Sequence, residues 1–300
     1  MSARNFTGIQ FMATTEDAQV LAVVSSVPEH AGDEAANAFF DALPISQLAS
    51  MWCALQRVSR RDQTGSVWAA KVYFDHLPGD QPDRALDLVL AVLASEQDKQ
   101  TVMLLNDKLM LSLMFARGTE VIGRVKAEAR DNAKLRWLLG GIRFGTGKSF
   151  ERRVEAIADS EAWELDDVAR HRPQHPLDCE TMSIPALARA WVEQYSRSDR
   201  DRDDNFFTLM DFERDLREED PDRAIDLILA ILDIETNPVL LSMLAAGPLE
   251  DVISMRTIDR IEREAAANKR FHDLLGGVWY FRAPDELKAR LDALVGQNRW

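Results

Sequence analysis

Apolar residues recur at helical spacing through much of the chain. Val121, Ile122, Val125 and Ala129 keep a three- and four-residue rhythm with charged residues between them, as do Ile258, Ile261 and Ala265. Two runs, Leu88–Leu93 and Leu227–Leu232, are apolar on every side and fit a buried helix or a buried strand equally well by periodicity. What precedes them decides for helix. Asp220 before Pro221 is a helix cap followed by proline at the first helical position, where a missing N–H costs nothing. Asp80 with Pro82 makes a similar start, and Ala, Leu, Asp and Arg ahead of each run suit a central helix wrapped by others. The paired glycines Gly140-Gly141 and Gly276-Gly277, each after Leu-Leu, are read as helix stops that need left-handed backbone. No run of alternating residues interrupts this pattern, which predicts an all-α fold.

An internal repeat organises these elements. Residues 82–93, Pro-Asp-Arg-Ala-Leu-Asp-Leu-Val-Leu-Ala-Val-Leu, return at 221–232 with nine of twelve identical and the other three exchanged among aliphatics. The offset is 139 residues, and Leu48-Ala49-Ser50-Met51-Trp52 matches Leu187-Ala188-Arg189-Ala190-Trp191 at the same offset. Leu138-Leu139-Gly140-Gly141 matches Leu274-Leu275-Gly276-Gly277 at 136, so the second copy lacks three residues, placed here in the loop near Ser95–Thr101. The predicted organisation is an N-terminal extension over 1–42, a first unit over 43–160, an acidic, Pro-containing linker over 161–181 and a second unit over 182–300. The units are expected to pack as a short solenoid-like or bilobed array. In the extension, Thr15 with Glu16 and Asp17 opens a helix through Val24, and Asp33-Glu34 opens another through Leu43. A short hairpin over Gly8–Ser26 is the alternative, because Ile, Phe and Val are frequent there.

Charge separates the two halves. Residues 1–150 hold 16 basic against 17 acidic side chains, whereas 151–300 hold 20 against 33, and the whole chain carries −14. Such a balance argues against gripping nucleic acid or an anionic membrane. The acids concentrate at Glu151–Glu180 and Asp199–Asp222. The second stretch contains Asp199, Asp201, Asp203, Asp204, Asp211, Glu213, Asp215, Glu218 and Glu219, with Arg200, Arg202, Arg214 and Arg217 interspersed. A solvated face laced with ion pairs accounts for it, and so does a docking surface for a cationic partner. Two cysteines, Cys53 and Cys179, cannot form a disulfide framework. No basic leader precedes an apolar stretch, and no apolar run nears the roughly 18–20 residues that span a bilayer. A cytoplasmic location is expected.

Candidate chemistry is sparse. Gly140 to Ser149 ends in Gly-Lys-Ser like a phosphate-binding loop, but Ile142 stands where that loop needs glycine and a helix precedes it instead of a strand. His30, His76, His171, His175 and His272 are scattered, and Pro173 separates the two that stand four apart, so no metal site is expected. The pairs Asp83/Asp87 and Asp222/Asp226 recur in both units. Their first members suit the opening turn of a helix, and their second members suit a bond from a neighbouring Trp or Arg. Glu250-Asp251 follows Gly247-Pro248-Leu249, read as a helix stop and restart, and has no acidic counterpart in the first unit, where Leu111–Phe115 is aligned with it. Trp52 and Trp191 occupy matching places, as do Trp68 and Phe207, and all four are read as core anchors, while Trp300 falls outside the repeat.

The Gly247-Pro248-Leu249-Glu250-Asp251 string, followed by Leu275-Gly276-Gly277-Val278-Trp279, resembles the signature of a bacterial helical domain of unknown function. The resemblance covers the last hundred residues, with the first unit a degenerate copy in which Arg143 takes the place of Trp279. It implies a small helical bacterial domain and brings no catalytic residues and no cofactor. The reading that follows is a non-enzymatic protein-interaction module, in its most concrete form an immunity-type inhibitor of a basic protein. The acids from Asp199 to Glu219 named above, with Glu250 and Asp251, would be its contact residues. The alternatives are an enzyme using Glu250, Asp251 or Asp226 with a nearby Arg in a cleft between the units, and an accessory subunit of a defence or secretion system.

Overall fold

The computed structural model describes residues 15–26, 33–142, 149–166 and 175–296, and every element among them is helical. The described chain divides into two compact units, one running to Val58 and on from Gln63, the other made of Ser59–Asp62 and the chain from 175 onward. The Gly-Lys-Ser loop at 143–148, His30, the linker at 170–174 with His171, and Trp300 lie outside the described residues.

The first unit contains α1 (Thr15–Val24), α2 (Asp33–Asp41), α3 (Ile45–Arg57), α4 (Gly65–Asp80), α5 (Pro82–Ser95), α6 (Lys99–Leu105), α7 (Leu111–Ala129), α8 (Ala133–Gly140), α9 (Ser149–Glu155) and α10 (Ser160–Glu164). Helix α1 replaces the alternative hairpin over its span, and α1 and α2 place Val24, Ala36 and Phe40 in the core of this unit. The second contains α11 (Ile184–Ser196), α12 (Asp204–Glu219), α13 (Pro221–Ile234), α14 (Pro238–Leu244), α15 (Glu250–Val252), α16 (Ile258–Ala267), α17 (Lys269–Leu274) and α18 (Asp285–Val295).

Helices α5 and α13 are the centre of their units. Leu86, Leu88, Val89, Val92 and Leu93 are buried on α5, and Ile225, Leu227, Ile228, Ile231 and Leu232 on α13. The Asp220 carboxylate accepts the Arg223 N–H at 3.1 Å and caps α13 as expected. In the first copy the cap position falls to Gln81, not Asp80, and Gln81 makes no side-chain cap; its amide reaches Asp41 at 2.7 Å instead. The recurrent carboxylate pairs meet arginine. Arg260 donates to the Asp222 carbonyl (2.8 Å) and carboxylate (3.1 Å) and to Asp226 (2.5 Å). Arg124 repeats the clamp on Asp83 and Asp87. At the other end, the Glu235 carboxylate accepts the N–H groups of Thr236 and Asn237, both at 2.8 Å, and Glu96 does the same for Gln97 and Asp98. Arg57 pairs with Glu96, whereas Glu235 takes both arms of Arg61, at 3.1 and 2.5 Å. Burial works against the charge of Glu235, but the Asn237 N–H, Arg61 and the Thr236 N–H outweigh it and hold the carboxyl below its ordinary range.

Three expectations change. The three-residue deletion is not near Ser95: widened π-turns at Asn106–Met110 and Ala245–Leu249 still keep the 139-residue offset, while Arg124 and Arg260 stand at 136. The loss therefore falls in the first half of α7, where the first unit stays helical through a kink at Arg117 (φ −137°, ψ 18°). The second unit breaks there at Ile253–Thr257, a turn closed by the Thr257 hydroxyl on the Val252 carbonyl at 2.7 Å. The glycine pairs do not supply left-handed backbone, since Gly296 alone among the described residues has positive φ. Close packing explains Gly140 and Gly141: a Cβ on Gly140 would stand 2.4 Å from the Asp159 carbonyl oxygen, and one on Gly141 2.5 Å from the Trp163 ring. Trp52 and Trp191 are core anchors at 1% and 0% exposure, but Trp68 and Phe207 lie on the surface at 64% and 52%.

Opposite signs are expected for two glycine substitutions in this unit. Gly140→Ala should cost about 1–3 kcal/mol through overpacking, whereas Gly123→Ala, in open space on α7, should add about 0.5–1 kcal/mol. Urea midpoints at constant m-value check both.

Candidate functional site

Helix α12 follows from its apolar spacing. Phe206, Leu209, Phe212 and Leu216 face the core, and the Asp203 carboxylate caps the helix by accepting the Asn205 N–H at 2.9 Å. The polar face carries the acids. Asp204, Asp211, Asp215, Glu218 and Glu219 are exposed there, against one exposed guanidinium, that of Arg214. Arg214 lies 3.0 Å from Asp211 and 3.4 Å from Asp215. Phe207 and Met210 are exposed on the same helix at 52% and 42%.

The remaining predicted contact residues divide into three groups. Asp201 and Asp203 are engaged locally, Asp201 with Ser198 (2.6 Å) and Arg200 (2.7 Å), Asp203 with Arg197 (2.6 Å). Asp199 is not on a docking face: it is 6% exposed and tied to Arg202, whose guanidinium lies 4.5 Å from the Phe206 ring. Glu213 is likewise withdrawn, at 4% exposure, because it falls on the inward stripe of α12 one turn from both Leu209 and Leu216. Glu250 and Asp251 stand at the end of the π-turn. Far from stopping the helix at Gly247-Pro248, the chain widens by one residue per turn across Ala245–Leu249, a geometry that accommodates the missing N–H and the ring of Pro248. The π-turn register also aligns Gly247–Asp251 with Lys108–Ser112 rather than Leu111–Phe115; the counterpart still lacks an acid. Asp251 meets Arg217 of α12 at 3.1 Å, and Glu250 accepts the Trp279 backbone N–H at 3.1 Å, so the two strings that carried the resemblance touch. Trp279 and Phe281 beside them are 69% and 62% exposed.

Beneath this turn lies the most perturbed carboxyl described. Glu213 accepts the Tyr195 hydroxyl on one oxygen at 2.8 Å; its other oxygen, Oε1, is buried without a hydrogen-bond partner. Burial pushes its pKa up to about 7, with Asp251 adding to the rise, against Tyr195, Arg217 and the Trp191 indole, which favour the charged form. The indole N–H lies close enough to act on the charge but outside hydrogen-bond geometry, and it too is buried without a partner. Glu213 and Arg217 line a small hollow with Leu216, Ala224, Leu227, Ile228, Ile231 and Pro248. At the 139-residue offset Phe74 stands for Glu213 and Gln56 for Tyr195.

With this geometry in view, a family model matches residues 56–162 and again 196–298. The chain belongs to DUF6869, a family of unknown function. Both helical units thus carry the DUF6869 domain, in tandem. No curated protein and no solved structure matches the chain. Among the described residues no group of three or more His, Cys, Asp or Glu side chains could hold a metal ion, and no single helix is long and apolar enough to cross a membrane. Cys53 and Cys179 are both buried and form no disulfide.

The burial of Glu213 had a signal in the sequence. It keeps the helical rhythm of Phe206, Leu209 and Leu216, and its partner in the first copy of the DUF6869 domain is the apolar Phe74.

Because the folded state holds the Glu213 proton more tightly than the unfolded chain, this group's contribution is fully favourable below about pH 4.5. It is lost as pH rises through about 7. The loss amounts to about 3 kcal/mol above that range. Glu213→Gln is therefore expected to melt higher than wild type at pH 8 and no higher at pH 4. A wild-type minus variant stability difference that is flat between those pH values would overturn the assignment.

Proposed function

We propose that the chain is a non-enzymatic protein-interaction module whose second DUF6869 unit receives a basic protein on the outward face of α12. The observation that carries this reading is the composition of that face. Asp204, Asp211, Asp215 and Glu218 follow one another at separations of seven, four and three residues, forming one stripe, with the exposed Phe207 and Met210 alongside. An apolar patch rimmed by charge of one sign is the anatomy of a docking surface: the apolar side chains supply burial, and the field speeds the encounter and selects the partner. The most concrete form is an immunity-type inhibitor in a bacterial cytoplasm, a setting that suits two buried thiols with no disulfide. The carboxylates of the enzymatic alternative have other work. Asp226 is bound by Arg260, Asp251 by Arg217, and Glu250 by the Trp279 N–H.

Docking of this kind weakens as salt shortens the Debye length. By isothermal titration calorimetry, a lysine-rich peptide standing in for the partner should bind the wild-type chain roughly tenfold more weakly when salt rises from about 50 to about 300 mM. The triple variant D211K/D215K/E218K should lose about tenfold at the lower salt. An affinity indifferent to salt, or to the triple replacement, would sink the reading.

A further inference from the structure

The two copies neutralise the same glutamate in different ways. Glu96 and Glu235 follow α5 and α13 at the 139-residue offset, and in the first copy Arg57, the last residue of α3, supplies the cation. The last residue of α11, at the matching place, is Ser196. The second copy thus has no arginine of its own there, yet its Glu235 side chain is 3% exposed and keeps a cation in Arg61. Arg61 belongs to Ser59–Asp62, four residues grouped with the second unit although the chain on both sides of them belongs to the first. They are held as a bound peptide is held. Arg60–Asp62 is a 3-10 turn, in which the Asp62 N–H reaches the Ser59 carbonyl at 3.0 Å and the Arg61 N–H the Ser59 hydroxyl oxygen at 3.2 Å. The Ser59 hydroxyl donates to the Ser196 carbonyl at 2.8 Å, and the Asn237 amide donates to the Arg61 carbonyl at 3.1 Å. Arg61 gives both arms to Glu235. The Arg60 guanidinium lies 5.8 Å from the centre of the Tyr195 ring and 5.5 Å from that of Phe206, with Asp199 at 3.8 Å and the Met243 sulfur at 3.7 Å.

From these contacts we infer that the C-terminal ends of α11 and α13, with the starts of α12 and α14, form a binding site for a turn of two adjacent arginines, and that the chain fills this site in cis with Arg60 and Arg61. Each arginine is read by a feature that a lysine matches poorly. The Glu235 carboxylate, fixed by the N–H groups of Thr236 and Asn237, offers two oxygens to the two arms of one guanidinium. The rings of Tyr195 and Phe206 suit the flat, weakly hydrated guanidinium of the other, and Asp199 balances its charge. The backbone bonds at Ser196 and Asn237 set direction and register, so the site selects a turn as well as a charge. Packing of the repeat does not require this arrangement, because the first copy completes the same helix end with Arg57. A tethered segment sits at its site at an effective concentration of order millimolar, so a separate peptide gains access only when the tethered arginines are removed. None of the contacts above involves Asp204, Asp211, Asp215 or Glu218, and the site is independent of the docking face proposed on α12.

The test takes the two arginines out of the full chain and returns them separately. In R60A/R61A the Cys179 thiol of the second unit is expected to react with a disulfide reagent about tenfold faster than in wild type, because Glu235 and Asp199 lose cations. The Cys53 thiol of the first unit should change by less than about threefold. By isothermal titration calorimetry the hexapeptide Val-Ser-Arg-Arg-Asp-Gln, blocked at both ends, should bind R60A/R61A saturably and bring its Cys179 rate back to within about threefold of wild type. The corresponding Lys-Lys peptide should bind at least about tenfold more weakly. The same weakening, about tenfold or more, is expected of the Arg-Arg peptide with wild type, whose site is filled, and with R60A/R61A/E235Q. Adding D211K/D215K/E218K to R60A/R61A should alter the peptide's affinity by less than about twofold, so this site and the docking face fail separately. A second variant covers the case in which R60A/R61A does not fold: S196R, which puts an arginine where the first copy has Arg57, should return the Cys179 rate of R61A to within about threefold of wild type. Equal binding of the Lys-Lys peptide, binding that disappears with the α12 acids, no saturable binding, or no rescue of R61A by S196R would each overturn the proposal.

Discussion

Two aliphatic helices, α5 and α13, lie with most of their surface inside the protein, and everything else in each unit is arranged around keeping their ends satisfied. A buried helix brings its terminal N–H and C=O groups with it, and these need partners. At the C-terminal ends Lys134 donates to the Leu93 and Glu96 carbonyls and its counterpart Arg270 to the Glu235 carbonyl, and two further devices recur beside them. An arginine from α7 or α16 grips the first turn through a backbone carbonyl and two carboxylates, and a glutamate at the far end, Glu96 or Glu235, folds back to take the next two backbone N–H groups. The glutamate needs a counter-ion in its turn. The first unit draws one from the end of α3, while the second uses Arg61, from the short stretch Ser59–Asp62 that packs with it.

Around this shared frame the copies differ most in chemistry at the π-turn and beneath it. The π-turn is retained in both, but only the second copy puts Pro248 in it, Glu250 and Asp251 after it and Glu213 beneath it. Where the first copy has the Phe74 ring, the second has a carboxylate in an apolar hollow. Meanwhile the acids on the outward face of α12 stay in solvent. Within twenty residues the chain thus holds two kinds of carboxylate, solvated ones on the outward face of α12 and a buried one that accepts the Tyr195 hydroxyl.

Much of the frame was legible in the sequence because its signals are local. The cap at Asp220, the proline after it and the matching runs at 82–93 and 221–232 each concern neighbours along one helix, and repetition at 139 residues doubled their weight. The errors came where space decides. Gly140 and Gly141 read as a demand for left-handed backbone, whereas their absent side chains make room for Asp159 and Trp163. Trp68 and Phe207 read as core by residue type, yet both stand on exposed faces of their helices. The candidate site shows the same division: the acidity of Asp199–Glu219 could be counted, but not which acids were withdrawn.

By itself, then, the sequence determined an all-helical tandem with two aliphatic central helices and an acidic second half, since periodicity, caps and composition are properties of the chain. Tertiary structure alone decided that Glu213 sits in a buried hollow against Tyr195, that Asp251 meets Arg217, and that Glu250 holds the backbone at Trp279. Those pairs lie 18 to 34 residues apart, so folding alone brings them together, and for Glu213 and Tyr195 it also excludes water, which depends on what is packed above a residue and not on the residue itself.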